Sequence, residues 1–363
     1  MADITISAAT PNETEKVQLW QRKLWHTVYY ENFWQKNGFI AENGGGIIHL
    51  KKDFSKEKGS VINFGLRVDP TTAPIAGEGW VEGNEMQYSE YNDSVLLDMA
   101  SGAERTNGPL TEQRASYDVR AEMKDSLANW WNYQLTEWIF KKLTGQTYQG
   151  YAGTANGTLG SLTTIGEAGV ANTAVLYGGD ASATTDIDES DKLSTGVISI
   201  AKLCAKSGYI GSTAIYKMRP VMINGKGYYV LIAHPYALYD LKQSAAWEQA
   251  MREAEMRGPE NPLFTGATAL WDGVIIYEHD QVPITTTGGV NGDVPYAHNC
   301  FLGAQAALMA VAQDGPNWVE ELFNYNRKWG VATGMMMGID KAMFNSKDFA
   351  TIVIRSAAKH PKA

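Results

Sequence analysis

Between residues 111 and 145 the apolar positions Val119, Met123, Leu127, Trp131, Leu135, Ile139 and Leu143 recur at every fourth residue, and Trp130 and Trp138 widen the stripe. That spacing keeps one face of an α-helix apolar, and no Pro or Gly interrupts it. Thr111 is placed to cap its start and Gly145 its end. At 1.5 Å per residue such a helix is ~50 Å long, against a mean of about three turns. A spine of that length suits an extended, plate-like molecule better than a small globule.

The pattern changes period on either side. Upstream, Asn12 and Glu15 have capping-box spacing, and Val17, Trp20, Leu24 and Val28 follow at helical intervals up to a stop at Asn37-Gly38. Trp20, Trp25 and Trp34 lie around much of the girth of this helix, so it needs apolar neighbours on more than one side. SVINFGLRV (60–68) alternates in strand fashion, and MQYSEYNDSVLLDM (86–99) is its expected partner, with Tyr91, Val95, Leu97 and Met99 on one face. Between them runs DPTTAPIAGEGWVEGN, far longer than a usual hairpin loop of about 2–5 residues.

Downstream, residues 146–191 are rich in Gly, Ala, Thr and Ser and read as an insertion or boundary. Helices are predicted over 194–208 and 238–258, a hairpin over 219–235 turning at Asn224-Gly225, and a strand over 272–282. NRKWGVATGMMMGIDKAMF and DFATIVIRS supply two more strands near the end. The order is mixed α and β without βαβ units, so the fold class is α+β.

Composition narrows the function. The chain has 363 residues, 44% of them hydrophobic, and a formal charge of -9. An acidic protein is poorly suited to coating phosphates, which Lys and Arg must neutralise. Cys204 and Cys300 lie far apart in apolar segments and read as buried thiols in a reducing compartment. The first residues lack a signal-peptide pattern, and the longest apolar run, FLGAQAALMAVA, is too short to span a bilayer. These features point to a soluble protein made in a cytoplasm, with no membrane partner.

Candidate chemistry is sparse. GEGWVEGNEMQYSEYN (77–92) gathers Glu78, Glu82 and Glu85, yet no histidine accompanies them and a loop is a poor frame for paired catalytic carboxylates. DIDESD (186–191) begins like a calcium loop, but Asp191 stands where Gly is needed and Val197 where Glu is needed. Glu278-His279-Asp280 alternates across a strand, and His234 precedes Pro235; neither has metal-ligand spacing. Phosphate-binding, dinucleotide and nucleophile-elbow motifs are absent from the sequence. No catalytic residue, cofactor or metal is therefore expected. Most tryptophans, including Trp20, Trp131, Trp138 and Trp271, occupy core-facing positions. Trp80 is different, since it sits in the Gly-rich loop, where an exposed aromatic implies a partner surface.

Several segments, in order, resemble one family. They are LWHTVYYENFW, DFSKEKGSVINFGL, GEGWVEGNEMQYSEYN, LTEQRASYDVRAEMKDSLANWW, VLIAHPYALYDLKQSAAWEQA, RGPENPLFTGATALWDGVIIYEH, LGAQAALMAV and KWGVATGMMMGIDKAMFNSKDFATIVI. Together they are similar to the major capsid proteins of tailed bacteriophages of the coliphage N-four type. The resemblance implies the Hong Kong 97-like fold: an N-terminal arm (1–49), an extended loop or E-loop with flanking peripheral strands (50–110), and a spine helix of the peripheral domain (111–145). The insertion (146–191), a mainly axial domain (192–290) and a return to the peripheral domain (291–363) follow. It further implies rings of five and six copies closing into an icosahedral head around double-stranded DNA, without sequence-specific binding. The same resemblance places the protein in the virion, and in the host cytoplasm during assembly, with scaffolding, portal and decoration proteins as partners. On this reading Trp80, Val81, Glu82, Asn84 and Glu85 form an intersubunit contact, and Val119, Met123, Leu127, Trp131, Leu135 and Ile139 form the core of the spine. The rival readings are an encapsulin-like nanocompartment shell, an enzyme without a recognisable motif, and a binding or adhesion protein.

Overall fold

The computed structural model describes residues 32–52, 60–68, 75, 77, 80–82, 85, 89–114, 119–146, 169–223, 225–254, 269–312 and 317–361. Most of the expected N-terminal helix lies outside these residues. Its end is seen as the short helix Phe33–Lys36, where Asn32 Oδ1 accepts from the Trp34 amide at 3.0 Å. Asn32 Nδ2 donates to Thr136 Oγ1 at 3.2 Å, tying this segment to the long helix, and Trp34 is fully buried.

The long helix is seen as Pro109–Arg114 and Val119–Thr144, with 115–118 outside the described residues. Helical structure begins at Pro109, two residues before the expected cap, because a first-turn proline forgoes an amide that has no intrahelical acceptor. Gly145 ends it with φ of 66°, and its amide donates to Lys141 O at 3.0 Å. Met123, Leu127, Trp131, Leu135, Ile139 and Leu143 are buried, and Val119 is half-buried against them. Toward its C-terminus the helix is enclosed on every side: Thr136, Glu137, Trp138, Phe140, Lys142 and Thr144 are buried too. Glu137 meets this burial with an ion pair to Lys141 at 2.8 Å.

One face of this helix packs on a six-stranded sheet, counted among the described residues. Its central strand, Lys328–Lys341, pairs antiparallel with Asn317–Phe323, Asp98–Arg105 and Ala307–Val311. Ile48–Lys51 adds in parallel to Ala307–Val311, and Ile40–Ala41 to Ile48–Lys51. Alternation along the central strand turns Thr333 toward the helix, where Trp131 Nε1 donates to Thr333 Oγ1 at 2.8 Å. Opposite Thr333 stands Gly102, where an added Cβ would lie 2.7 Å from Trp130 Cζ3. The bulky helix residue thus requires the strand glycine.

A second, eight-stranded sheet runs in the order Ala269–Trp271, Val274–Glu278, Lys226–Ala233, Val294–Leu302, Thr351–Ala357, Val175–Tyr177, with Val221–Ile223 and Ile284–Gly288 attached at its side. Val230, Leu231, Ile232, Cys300, Phe301, Ile352 and Ile354 make its interior and are fully buried. Helix Thr195–Ser207 is capped by Ser194 and ends at Gly208 with φ of 83°. The 238–258 helix of the sequence reading is two helices, Pro235–Lys242 and Ala245–Ala254, and residues 255–258 lie outside the described residues. His234 starts the first of them three residues early as its N-cap. The break falls at Gln243, whose amide turns back to Tyr239 O and Asp240 O.

The arm is a two-stranded ladder, Val61–Val68 with Ser89–Leu96, in register from Val61↔Leu96 to Val68↔Ser89. The expected strand 86–99 is interrupted at Leu97, whose amide donates to Ser60 O at 2.8 Å. The chain then enters the six-stranded sheet as Asp98–Arg105. The break resets the alternation, so Met99 is exposed and does not share a face with the buried Val95.

Candidate intersubunit site

At the far end of the arm Trp80 is 79% exposed and Val81 63% exposed, with Ile75 exposed nearby in the chain. Glu82 and Glu85 are exposed beside them, and Gly77 turns with φ of 66°; Glu78 and Asn84 lie outside the described residues. A large aromatic this exposed to water carries a solvation cost.

The acids and histidines that invited a chemical reading are placed as structural parts. Asp191 is fully buried; its Oδ1 accepts from the Asp180 amide at 3.2 Å and its Oδ2 from the Asp188 amide at 2.8 Å. Asp188 in turn accepts from the Ser190 amide at 2.7 Å. DIDESD therefore pins a loop through its own backbone. Among the described residues no three metal-ligating side chains converge. Cys204 and Cys300 are buried and unlinked, and burial pushes the Cys300 thiol up to about 12.

His234 Nδ1 accepts from the Tyr236 amide at 3.1 Å, and burial pushes the ring's pKa down to about 4 against the opposing charge of Asp280. His298 lies on the eight-stranded sheet with Nε2 2.8 Å from Thr285 Oγ1; burial, aided by Arg355, pushes it down to about 3. His279 Nδ1 accepts from the Gln281 amide at 3.1 Å, and the ring packs on Phe33 and Phe140. A histidine with a folded pKa below its unfolded 6.5 binds fewer protons folded than unfolded between those values. Its contribution to stability is full above about pH 6.5 and is lost as pH falls toward about 4 for His234 and about 3 for His298. Each ring is expected to cost about 2 kcal/mol near pH 5. Urea unfolding of subunits at about pH 7.5 and about pH 5 checks this. Equal stability at both would show that the fold accepts both protons.

Two features had no counterpart in the sequence reading. The first is a buried ion pair, Lys341 with Asp348, both side chains fully excluded from solvent. Lys341 Nζ also donates to Asn172 Oδ1 at 2.7 Å and Val170 O at 3.1 Å, while Asp348 Oδ2 accepts from the Thr173 and Ala174 amides at 2.7 and 3.1 Å. Together they fasten the segment entering the eight-stranded sheet to the end of the central strand. The second is the hairpin turn Asn324-Tyr325-Asn326, three successive residues with φ of 53°, 56° and 62°, which leaves Tyr325 97% exposed. Its Asn-Tyr-Asn run was the signal, since Asn tolerates the left-handed region better than most residues.

A long helix thus packs against one sheet, a second sheet is built on strands from the rest of the chain, and a two-stranded ladder leads toward the exposed Trp80. The chain belongs to the phage capsid protein family, whose pattern it matches over residues 10–360. The major capsid protein of Pseudomonas phage KPP25 is 28% identical over 371 residues, covering 92% of this chain and 95% of that protein. A chain from the capsid of Ralstonia phage GP4 superposes with a TM-score of 0.78 at 27% identity, covering 91% of this chain and 92% of its own length. One from the Cyanophage Pam1 capsid shares the fold, with a TM-score of 0.69 at 20% identity over 99% of both chains. The protein is thus a phage major capsid protein with the Hong Kong 97-like fold, a structural component of the virion that acts as homo-oligomeric capsomers.

Proposed function

We propose that the subunit forms rings of five and six that close into an icosahedral head around double-stranded DNA. The arm tip, with Trp80, Val81, Glu82, Asn84 and Glu85, is the intersubunit contact. Exposure of Trp80 and Val81 at the end of the arm carries this reading. In the same reading residues 1–49 are an N-terminal arm, 50–110 the extended loop with its flanking strands, and 111–145 the spine. Residues 146–191 are an insertion, 192–290 mainly an axial domain and 291–363 the return to the peripheral domain. The charge of -9 favours confinement of DNA by the shell over binding by each subunit. Scaffolding, portal and decoration proteins are the further partners, and assembly takes place in the host cytoplasm.

The test is Trp80→Ala. An aromatic side chain hides ~150–250 Å² when buried, roughly 4–6 kcal/mol of gross contact at about 25 cal/mol per Å². Ordering and association costs absorb much of it, but the contact recurs at every copy. Monomer circular dichroism and melting should be nearly unchanged, while particles fail to form or break at lower temperature. Unfolding of the monomer would place Trp80 in its own subunit's core, and normal shells of normal stability would remove it as an anchor.

A further inference from the structure

The stretch from Lys192 to Tyr239 holds six basic residues and no Asp or Glu, in a protein whose formal charge is -9. Two of the six meet acids: Lys192 pairs with Asp240 at 2.9 Å, and Lys202 pairs with Asp272. Lys206, Lys217, Arg219 and Lys226 are exposed and have no ion-pair partner among the described residues.

The fold gathers these four around one helix end. Lys206 lies in the last turn of the helix Thr195–Ser207. The chain then doubles back, with the Ile215 amide donating to Gly208 O and the Met218 amide to Ala205 O, each at 2.9 Å. Met218 is buried there, while Lys217 and Arg219 on either side of it are exposed. The Lys217 stem lies by the helix end, since a Cβ added at Gly208 would be 3.1 Å from Lys217 Cγ. Lys226 follows on the next hairpin, whose Gly227 sits against Pro220; a Cβ added there would be 2.8 Å from Pro220 Cγ. Lys347 reaches in from a distant segment, its Nζ donating to Ala214 O at 3.1 Å. Tyr209, Ser212 and Thr213 are exposed in the same turn of chain.

Lysines near a helix C-terminus often serve to offset its free carbonyls. Here the backbone does that work, because Cys204 O takes the Gly208 amide and Ala205 O the Met218 amide. The acids that border the stretch are engaged too, Asp191 by the Asp180 and Asp188 amides and Asp240 by Lys192. The four cations are left for something outside the subunit.

We propose that this basic surface is where the subunit meets the phosphate backbone of packaged duplex DNA. The inference rests on the reading that the shell encloses double-stranded DNA, and it names the part of each subunit that turns toward it. Long-stemmed cations with hydroxyls beside them are the donors that phosphates accept, and such contacts carry no sequence information. A surface free of carboxylates adds no local repulsion. One copy holds DNA weakly, because the rest of the protein is acidic. A shell repeats the contact at every copy and so gains by multivalency.

Two experiments test it. In the first, lysines of DNA-filled heads and of heads emptied of DNA are acetylated and mapped by mass spectrometry. Lys206, Lys217 and Lys226 should be protected in filled heads and reactive in emptied ones. Equal labelling overturns the proposal. Protection that follows a protein component of DNA-free precursor shells overturns it too, in favour of an acidic protein partner. In the second, binding of a random-sequence duplex by soluble subunits is followed as salt is raised. Four phosphate contacts give log K a slope of about -3 to -4 against log salt. The quadruple variant Lys206→Gln/Lys217→Gln/Arg219→Gln/Lys226→Gln should keep its circular dichroism and lose at least about tenfold in affinity, with most of the slope. A folded variant that binds as wild type does, or a wild type that binds no duplex at low salt, overturns the surface. If the variant does not fold, the labelling decides alone. Heads holding no nucleic acid would discard the reading of a DNA-filled shell, whereas DNA-filled heads with equal labelling discard only this surface.

Discussion

Lys341→Met is expected to lower subunit stability by about 3–5 kcal/mol, enough to leave much of the chain unfolded near physiological temperature. The substitution keeps much of the side chain's length and apolar character but removes the charge. Asp348 would then hold a carboxylate fully out of water, with the Thr173 and Ala174 amides as its remaining partners. Breaking one member of a buried pair costs more than removing both, because the uncompensated charge is the expensive state. The double variant Lys341→Met/Asp348→Ala should therefore recover part of the loss, and urea midpoints of the two singles and the double give the coupling directly. A Lys341→Met subunit within about 1 kcal/mol of wild type would mean the carboxylate reaches solvent and behaves as a surface pair.

Leu135→Glu is expected to be at least as damaging. Leu135 is buried on the helix one turn from Trp131 and one turn from Ile139, both of them buried as well, as is Trp138. An unpaired carboxylate there should cost several kcal/mol and give insoluble or unfolded subunits. Leu135→Ala removes packing without adding charge and should cost about 2–5 kcal/mol. Soluble yield and melting temperature separate the two. A Leu135→Glu subunit with wild-type melting would place residue 135 in water.

Elements whose cause lies within one turn were legible in the sequence. Ser194 and Gly208 bound the helix Thr195–Ser207 because capping is settled by neighbours three or four residues away. The every-fourth stripe from Met123 to Leu143 is buried because a helix with that period has one face to hide. Pairing of Val61–Val68 with the segment after the loop followed from alternation alone. Alternation could not show that the chain changes sheets at Leu97, because Asp98–Arg105 finds its partner at 330–337. The Lys341–Asn172 contact was invisible for the same reason, since it joins residues 169 apart, and Lys341 and Asp348 each look like an ordinary surface residue in their own strand. Exposure of Trp80 could be read from its glycine-rich company.

The pairing of Gly102 with Thr333 spans 231 residues, and it bears on when a nascent chain becomes a subunit. Translation at about 5–20 residues per second puts roughly 10–50 s between the emergence of the two strands. Throughout that interval Asp98–Arg105 has no central strand to pair with, and Trp131 lacks the hydroxyl that its indole N–H will use. A ribosome-bound chain thus carries its long helix before the sheet that the helix packs on is complete. The six-stranded sheet can close only after residues 328–341 have been made, because that strand joins three of the others.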